Sequence, residues 1–316
     1  MTAKDFVSDQ EIRWCPGCGD FAVLKQVQNV LAKLNIPKHQ YAFVSGIGCS
    51  SRFPYYMNTY GIHSIHGRAA SLATGLKLAN PELSVWVITG DGDGLSIGGN
   101  HFIHLMRRNV DLKVLLFNNQ VYGLTKGQYS PTSPLHTISK SSPKGSIDHP
   151  MNPLSVALAS GSSFIARAID REAKHLQQML LEAAGHRGTA LLEIYQNCHI
   201  FNDGAFDKYT ERESKEETTL YVEDGKPMTF GIKKGISIEN QNVRIVDLEL
   251  EGLEKCSIHD KSNKEMASIL VKLGEEEYPN FPKVFGLIYS DNRDVYEFHP
   301  KINVTKSQLK YILTKK

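Results

Sequence analysis

The sequence lacks the features that would place the protein in a membrane, outside the cell or on a nucleic acid. No apolar run among its 316 residues reaches the roughly 18–20 residues that a transmembrane helix needs. The first residues have no apolar core of the kind found in a secretory signal, and the formal net charge is only +2, which favours neither a nucleic acid nor a membrane surface as a partner. Without an export signal, the five cysteines are expected to be thiols or metal ligands rather than disulfides. We therefore expect a cytoplasmic protein that binds no nucleic acid and no membrane.

The composition and the distribution of motifs predict one large domain with an extension. With 41% hydrophobic and 22% charged residues, the chain can bury a sizeable core. The motifs described below lie in residues 1–202, which we expect to form the domain that carries the functional site. Residues 203–316 are more charged, and their Cys256 has no second cysteine at a metal-binding spacing. We interpret them as a C-terminal extension that packs on the core or on a partner subunit.

We predict that residues 85–128 form the centre of the fold. They contain two short apolar runs, at 85–89 and 114–117, and both are continuous rather than alternating. Continuous runs are typical of parallel strands that are covered on both faces. A helical pattern at 96–107 joins the two runs, so the unit is a βαβ crossover. The sequence therefore predicts an α/β fold, with a mostly parallel sheet between two layers of helices and a ligand site at the carboxyl ends of the strands.

Oxygen-bearing side chains follow both of these strands. Asp91 comes after the first and Asn119 after the second, 28 positions later, and glycines on both sides of Asp91 allow a ligand to approach the backbone closely. Carboxylate, amide and carbonyl oxygens suit Mg²⁺, which usually takes phosphate oxygens and water as its other ligands. The pattern predicts a clamp for Mg²⁺ and a diphosphate.

Four of the cysteines form a second candidate site. Cys15 and Cys18 have the C-x-x-C spacing, whereas Cys49 and Cys198 each follow a predicted strand. By ligand count alone, four cysteines suit a zinc ion or a [4Fe–4S] cluster equally well. These ligands spread over 183 positions, so a completed fold must gather them, and we take this as favouring a cluster over structural zinc.

The motifs together resemble those of a known family. GDGDG followed by FNNQVYGLT resembles the Mg²⁺ and diphosphate motif of thiamine-diphosphate enzymes. WCPGCGD, SGIGCSSR, IHGRA, GDGDG and FNNQVYGLTKGQYSPT, in this order over residues 12–202, resemble the β subunit of 2-oxoacid:ferredoxin oxidoreductases, most closely the 2-oxoglutarate type. The resemblance implies a thiamine-diphosphate-binding fold and the oxidative decarboxylation of a 2-oxoacid with coenzyme A. It also implies an α subunit and a ferredoxin as partners, in an (αβ)₂ assembly.

The resemblance further assigns roles to individual residues. Cys15, Cys18, Cys49 and Cys198 would bind [4Fe–4S], and Asp91, Asn119 and the backbone carbonyl of Val121 would bind Mg²⁺. The residues that would line the cofactor pocket are Ile47, Gly48, Cys49, Ser50, His66, Gly67, Arg68, Gly90, Gly92, Asp93, Gly123, Leu124 and Thr125.

Several alternatives remain open at this point. Lys126 is a candidate partner for a substrate carboxylate, or simply an exposed lysine, and Arg68 is as compatible with an ion pair as with a ligand contact. No glutamate lies in a motif that matches the one contacting the aminopyrimidine of thiamine; in the family it comes from the α subunit, so we expect the chain alone to be inactive. Pyruvate or a broad range of 2-oxoacids, a non-redox thiamine decarboxylase with a zinc knuckle, and a non-catalytic subunit are the competing hypotheses.

Overall fold

The computed structural model describes residues 1–296 and has the predicted α/β fold. Within these residues the strands, in chain order, are β1 Tyr41–Ser45, β2 Tyr60–His63, β3 Ser84–Gly90, β4 Lys113–Asn118, β5 Phe164–Ile169, β6 Ala190–Tyr195, β7 Thr219–Val222, β8 Thr229–Phe230, β9 Lys234–Glu239, β10 Asn242–Asp247 and β11 Lys283–Ser290.

Helices connect most of the strands of the main sheet. They are α1 Asp20–Leu34, α2 Ala69–Ala79, α3 Gly99–Arg108, α4 Pro153–Ala159, α5 Ala173–Gly185, α6 Lys215–Thr218 and α7 Lys264–Leu270. The part of the chain described by the structure contains no helix long and apolar enough to cross a membrane.

Eight strands form the main sheet, in the order β2-β1-β3-β4-β6-β5-β11-β7. The strands from β1 to β6 are parallel to their neighbours, and β11 is the antiparallel exception beside β5. A separate antiparallel sheet has the order β10-β9-β8. The prediction of a mostly parallel sheet is confirmed.

The strand sequences explain why the sheet is covered on both faces. Val87 and Leu116 belong to one hydrophobic core, whereas their chain neighbours Ile88 and Leu115 belong to another. Successive side chains of a strand point to opposite faces, so a strand that is apolar throughout must be buried on both sides. Helices α2, α3, α4 and α7 pack into the first core, and α1 and α5 pack into the second.

The segment after residue 202 continues the main sheet. Strand β11 pairs with β5, with Gly286 opposite Arg167, and β7 is added in parallel beyond it. Residues 297–316 of the predicted extension lie outside the described residues. The division of the chain at residue 202 stays a prediction.

The predicted helix at 96–107 begins differently in the structure. A π-helical turn, Asp93–Ile97, precedes α3. At this point the backbone of Gly98 lies against Gly67, where an added Cβ on Gly67 would be 2.6 Å from the Gly98 nitrogen. This close packing accompanies the irregular turn at the start of the helix and brings two loops of the site together.

Candidate cofactor site

A cavity of about 200 Å³ opens at the carboxyl ends of β1, β3 and β4. Most of the residues predicted to contact the cofactor or Mg²⁺ line it, because the loops that follow these parallel strands meet at one edge of the sheet. Gly67 and Arg68 do not line it. The predicted residues in the lining are Ile47, Gly48, Cys49, Ser50, His66, Gly90, Asp91, Gly92, Asp93, Asn119, Val121, Gly123, Leu124 and Thr125.

Asp91 is a buried carboxylate that two hydroxyls hold in place. Its Oδ2 accepts hydrogen bonds from Ser130 Oγ at 2.5 Å and from Thr132 Oγ1 at 2.6 Å. Burial raises the pKa of Asp91 to about 6, while these hydrogen bonds act in the opposite direction. A cation beside a buried carboxylate favours its ionised form. The environment of Asp91 therefore fits a metal ligand.

The amide of Asn119 faces the same cavity from the end of β4. Its Nδ2 donates to Gln196 Oε1 at 3.0 Å, and its Oδ1 accepts from the backbone nitrogen of Val121 at 3.2 Å. Gln120, between them, has a left-handed backbone with φ of 57°. This turn joins Asn119, which supplies the amide oxygen, to Val121, which supplies the carbonyl. The residues of all three predicted Mg²⁺ donors line the same cavity.

The carboxylate of Asp93 ties together the loops around the cavity. Its Oδ1 accepts from the backbone nitrogens of Gly67 at 2.7 Å and Ile47 at 3.0 Å, and it lies 2.7 Å from His66 Nδ1. Its Oδ2 accepts from Thr89 Oγ1 at 2.7 Å. Although Asp93 lines the cavity, its polar atoms are used within the protein, which fits a role in positioning the loops.

Gly92 has a packing reason to be glycine. A Cβ at this position would be 2.2 Å from the ring of Tyr122, whose hydroxyl donates to the Gly92 carbonyl at 3.0 Å. At Gly90, by contrast, an added Cβ would meet nothing closer than 3.6 Å. Tyr122 thus holds the two strand ends at a fixed distance across the cavity.

The four cysteines of the second candidate site come together beside this cavity. Cys49 and Cys198 each have Sγ 3.5 Å from the position of a Cβ built on Gly123. Burial, followed by the nearby Asp20, Cys198 and Cys15, raises the pKa of Cys49 to about 12. The pKa of Cys18 is likewise raised by burial and by Asp20, Cys49 and Cys198. Cys18, Cys49 and Cys198 therefore lie near one another, and Cys15 lies near Cys49.

The arrangement of these thiols differs from a site for a single ion. Within residues 1–296, no three His, Cys, Asp or Glu side chains are placed so that they can hold one metal ion. Cys256, which is buried, belongs to another region: a Cβ on Gly235 would be 2.1 Å from its Sγ.

Comparison with known proteins gives the family. The model of the thiamine pyrophosphate enzyme C-terminal TPP-binding domain matches residues 46–194. The chain is 48% identical to the KorB subunit of a 2-oxoglutarate oxidoreductase from Mycobacterium tuberculosis, over 93% of this chain and 79% of that protein. It is 44% identical to a 2-oxoacid:ferredoxin oxidoreductase β subunit from Saccharolobus solfataricus, over 91% and 92% of the two chains. The chain belongs to the β subunits of the 2-oxoacid:ferredoxin oxidoreductases.

A solved structure agrees with this membership over the whole length. The 2-oxoglutarate:ferredoxin oxidoreductase from Magnetococcus marinus, with 2-oxoglutarate, coenzyme A and succinyl-CoA bound, is 31% identical and has a TM-score of 0.79. The match covers 100% of this chain and 97% of that chain. The α/β fold of this β subunit is therefore that of its family, including the strands after residue 202.

Arg68 and Lys126 of this β subunit, like Gly67, do not line the cavity. Arg68 Nη1 donates to the carbonyl of Ile97 at 3.2 Å, so its guanidinium braces the turn before α3. Lys126 is exposed and has a left-handed backbone with φ of 78°, one residue after the lining residue Thr125. The assignment of Lys126 to a substrate carboxylate stays a prediction.

The sequence reasoning missed two features of the site. Asp20 is 1% exposed, and neither of its carboxylate oxygens has a hydrogen-bond partner within the described residues. Burial raises its pKa to about 7. The sequence assigns no role to the hydroxyls of Ser130 and Thr132, which donate to Asp91. The one feature of the sequence that could have indicated this role is the cluster of polar residues directly after the predicted Mg²⁺ motif.

Proposed function

We propose that this chain is the β subunit of a 2-oxoglutarate:ferredoxin oxidoreductase. The reaction converts 2-oxoglutarate and coenzyme A to succinyl-CoA and CO₂ and passes two electrons to ferredoxin. The observation that carries the proposal is the position of Cys49 and Gly123. Both line the cavity that contains Asp91 and Asn119, and a Cβ on Gly123 would lie 3.5 Å from the Sγ atoms of Cys49 and Cys198. We infer that the site of decarboxylation and the exit route of the electrons share one wall of this cavity.

The residues of the cavity fit thiamine diphosphate and Mg²⁺. Asp91, Asn119 and the carbonyl of Val121 would hold the ion, and the backbone from Gly123 to Thr125 would face the diphosphate oxygens. When bound, thiamine diphosphate supplies the nucleophilic carbon and accepts the electron pair that decarboxylation leaves behind. The chain's own contribution is to fix the position of the diphosphate through a metal whose ligands are already oriented.

The thiols fit a [4Fe–4S] cluster better than a zinc ion. The ligands of a cluster bind different irons, so they stand farther apart than the ligands of one tetrahedral ion. The spread of these cysteines over 183 positions of the chain supports this choice, because the completed fold must gather them. Cys15, Cys18, Cys49 and Cys198 would hold the cluster, and electrons would leave the cavity past Gly123.

The residues that line the cavity support the inference that an α subunit completes the site. Thiamine catalysis requires a carboxylate at the aminopyrimidine, and among residues 1–296 no glutamate lines this cavity. We infer that the α subunit supplies it, in an (αβ)₂ assembly. We further propose that Lys126, which is exposed and follows the lining residue Thr125, contacts the second carboxylate of 2-oxoglutarate, a group that pyruvate does not have.

Co-expression of this chain with its α subunit tests the proposal. The purified complex should be brown, contain iron, thiamine diphosphate and Mg²⁺, and reduce ferredoxin or a viologen with 2-oxoglutarate and coenzyme A. The chain purified alone should not. Asp91→Ala should abolish cofactor retention, and Lys126→Ala should raise KM for 2-oxoglutarate more than KM for pyruvate. A colourless zinc protein, or turnover by the isolated chain, would contradict the proposal.

A further inference from the structure

Three hydroxyl side chains of one short segment hold both halves of the proposed Mg²⁺ site. Ser130 and Thr132 donate to Asp91 Oδ2, and Ser133 Oγ donates to the carbonyl of Gln120 at 2.6 Å. All three hydroxyl-bearing residues are buried. We call this group, Ser130, Thr132 and Ser133, the hydroxyl clasp.

The two anchor points of the clasp belong to different strand ends. Asp91 follows β3, whereas Gln120 lies between Asn119 and Val121 after β4. The left-handed backbone of Gln120 is sparsely populated for residues other than glycine. The bond from Ser133 to the Gln120 carbonyl stabilises this turn, while Ser130 and Thr132 fix the rotation of the Asp91 carboxylate. One segment thus sets the separation and the orientation of all three proposed Mg²⁺ donors.

The hydroxyl proton of Thr132 is donated to one of two nearby acceptors. Its Oγ1 also lies 2.9 Å from Asn118 Oδ1, but a hydroxyl has a single proton to donate. The ionised carboxylate is the stronger acceptor and is closer, so Thr132 donates to Asp91. Asn118 Oδ1 still accepts from the backbone nitrogen of Gln120 at 3.2 Å. The contact therefore orients a ligand and does not form a proton path toward the interior.

We propose that the hydroxyl clasp is a set of positioning residues that preorganises the Mg²⁺ site and so sets the affinity for the metal. The inference rests on the proposed function, because it takes Asp91, Asn119 and Val121 as the donors. Groups that orient metal ligands typically change metal affinity by about 10–100-fold when they are removed. Without the clasp, the donors must be ordered when the ion binds, so the affinity should fall while the chain stays folded.

The test uses the complex with the α subunit, after the bound Mg²⁺ has been removed with a chelator. Isothermal titration calorimetry measures MgCl₂ binding in the presence of saturating thiamine diphosphate. Thr132→Val, which keeps the shape and removes the hydroxyl, should bind Mg²⁺ about 10–100-fold more weakly. Thr132→Ser should restore most of the affinity. Ser133→Ala tests the other strand end independently, and Ser141→Ala, an exposed serine of the same loop, is the matched control.

The outcomes separate this inference from the proposed function. A wild-type complex that binds neither thiamine diphosphate nor Mg²⁺ would overturn both. Wild-type affinity in Thr132→Val and Ser133→Ala would overturn the clasp alone. If Thr132→Val does not fold, Ser133→Ala still decides the question, since thermal unfolding of the metal-free complexes identifies the variants that are folded. Recovery of turnover at high Mg²⁺, with kcat unchanged, is the further result expected of a positioning role.

Discussion

Replacing Arg167 with methionine removes one cation from a group of four charges, of which Arg167, Glu193 and Lys283 are buried and the fourth is half-buried. Arg167 Nε lies 2.7 Å from Glu193 Oε2, and Lys283 Nζ lies 2.5 Å from Glu275 Oε1. Arg167 and Glu193 are both fully buried, and Arg167 Nη2 is also 3.6 Å from Glu275 Oε1. The charges of two cations and two carboxylates therefore cancel one another beneath the carboxyl ends of β5 and β6.

The loss of stability expected for Arg167→Met follows from this geometry. At 2.7 Å the attraction between unit charges is about 6 kcal/mol for an effective dielectric constant of ~20. Desolvation of both groups offsets most of that attraction, but a carboxylate left without its partner keeps the desolvation penalty. Breaking a buried pair in this way costs about 3–5 kcal/mol. For a chain of 316 residues, this corresponds to a fall in the thermal midpoint of about 5–8 °C.

Thermal unfolding followed by circular dichroism measures the effect. The control is Arg244→Met, the same substitution at an exposed pair in which Arg244 Nη1 lies 2.6 Å from Glu251 Oε2; it should shift the midpoint by about 1 °C or less. Adding Glu193→Gln to Arg167→Met should recover part of the loss. It removes the unpaired charge and keeps an oxygen that accepts from Asn118. Equal midpoints for Arg167→Met and Arg244→Met, or a double variant less stable than Arg167→Met, would refute the reasoning.

Three further predictions concern other parts of the chain. Gly92→Ala should destabilise the protein by about 1–3 kcal/mol in thermal unfolding, because the new methyl group overlaps the Tyr122 ring; the loss should shrink when Tyr122 is also changed to alanine. Cys198→Ser should remove most of the iron and visible absorbance of the purified complex, whereas Cys256→Ser should not, and equal iron in both would contradict the cluster assignment. Burial lowers the pKa of His175 to about 4, so its neutral form stabilises the fold fully above pH 6.5 and this stability is lost as the pH falls toward 4, by up to about 3 kcal/mol. His175→Phe should therefore flatten the dependence of the thermal midpoint on pH between 7 and 5, and an unchanged slope would count against this account.

Local patterns were enough to predict much of the fold. The predicted bounds of both strands of the central βαβ unit lie within one residue of the bounds of β3 and β4 at each end. Each of these elements has an apolar pattern that it carries in its own sequence. The position of β11 could not be predicted, because its antiparallel pairing with β5 joins Gly286 to Arg167 across more than a hundred residues.

The site shows the same division between local and distant contacts. Asp91 and Asn119 have a recognisable motif because glycines and a second asparagine surround them in sequence. Ser130 and Thr132 act on a carboxylate 39 and 41 residues away, so only their position after the Mg²⁺ motif hints at their role. Asp20 is similar, since Asp170, whose charge helps to raise the pKa of Asp20, follows β5, 150 residues further along the chain. A polar residue whose partner is remote looks like any loop residue until the fold brings the two together.

Strand order explains why the cavity forms where it does. After β1 the chain turns toward one core, in which Phe53 is buried, and after β3 it turns toward the other, in which Phe102 is buried. Because β1 and β3 are neighbours, their connections leave the sheet on opposite faces and a crevice remains between their carboxyl ends. The residues after β1 and the residues after β3 form facing walls of the cavity. A motif can specify the chemistry of one wall, but the meeting of two walls requires the order of the strands, which no single stretch of the sequence contains.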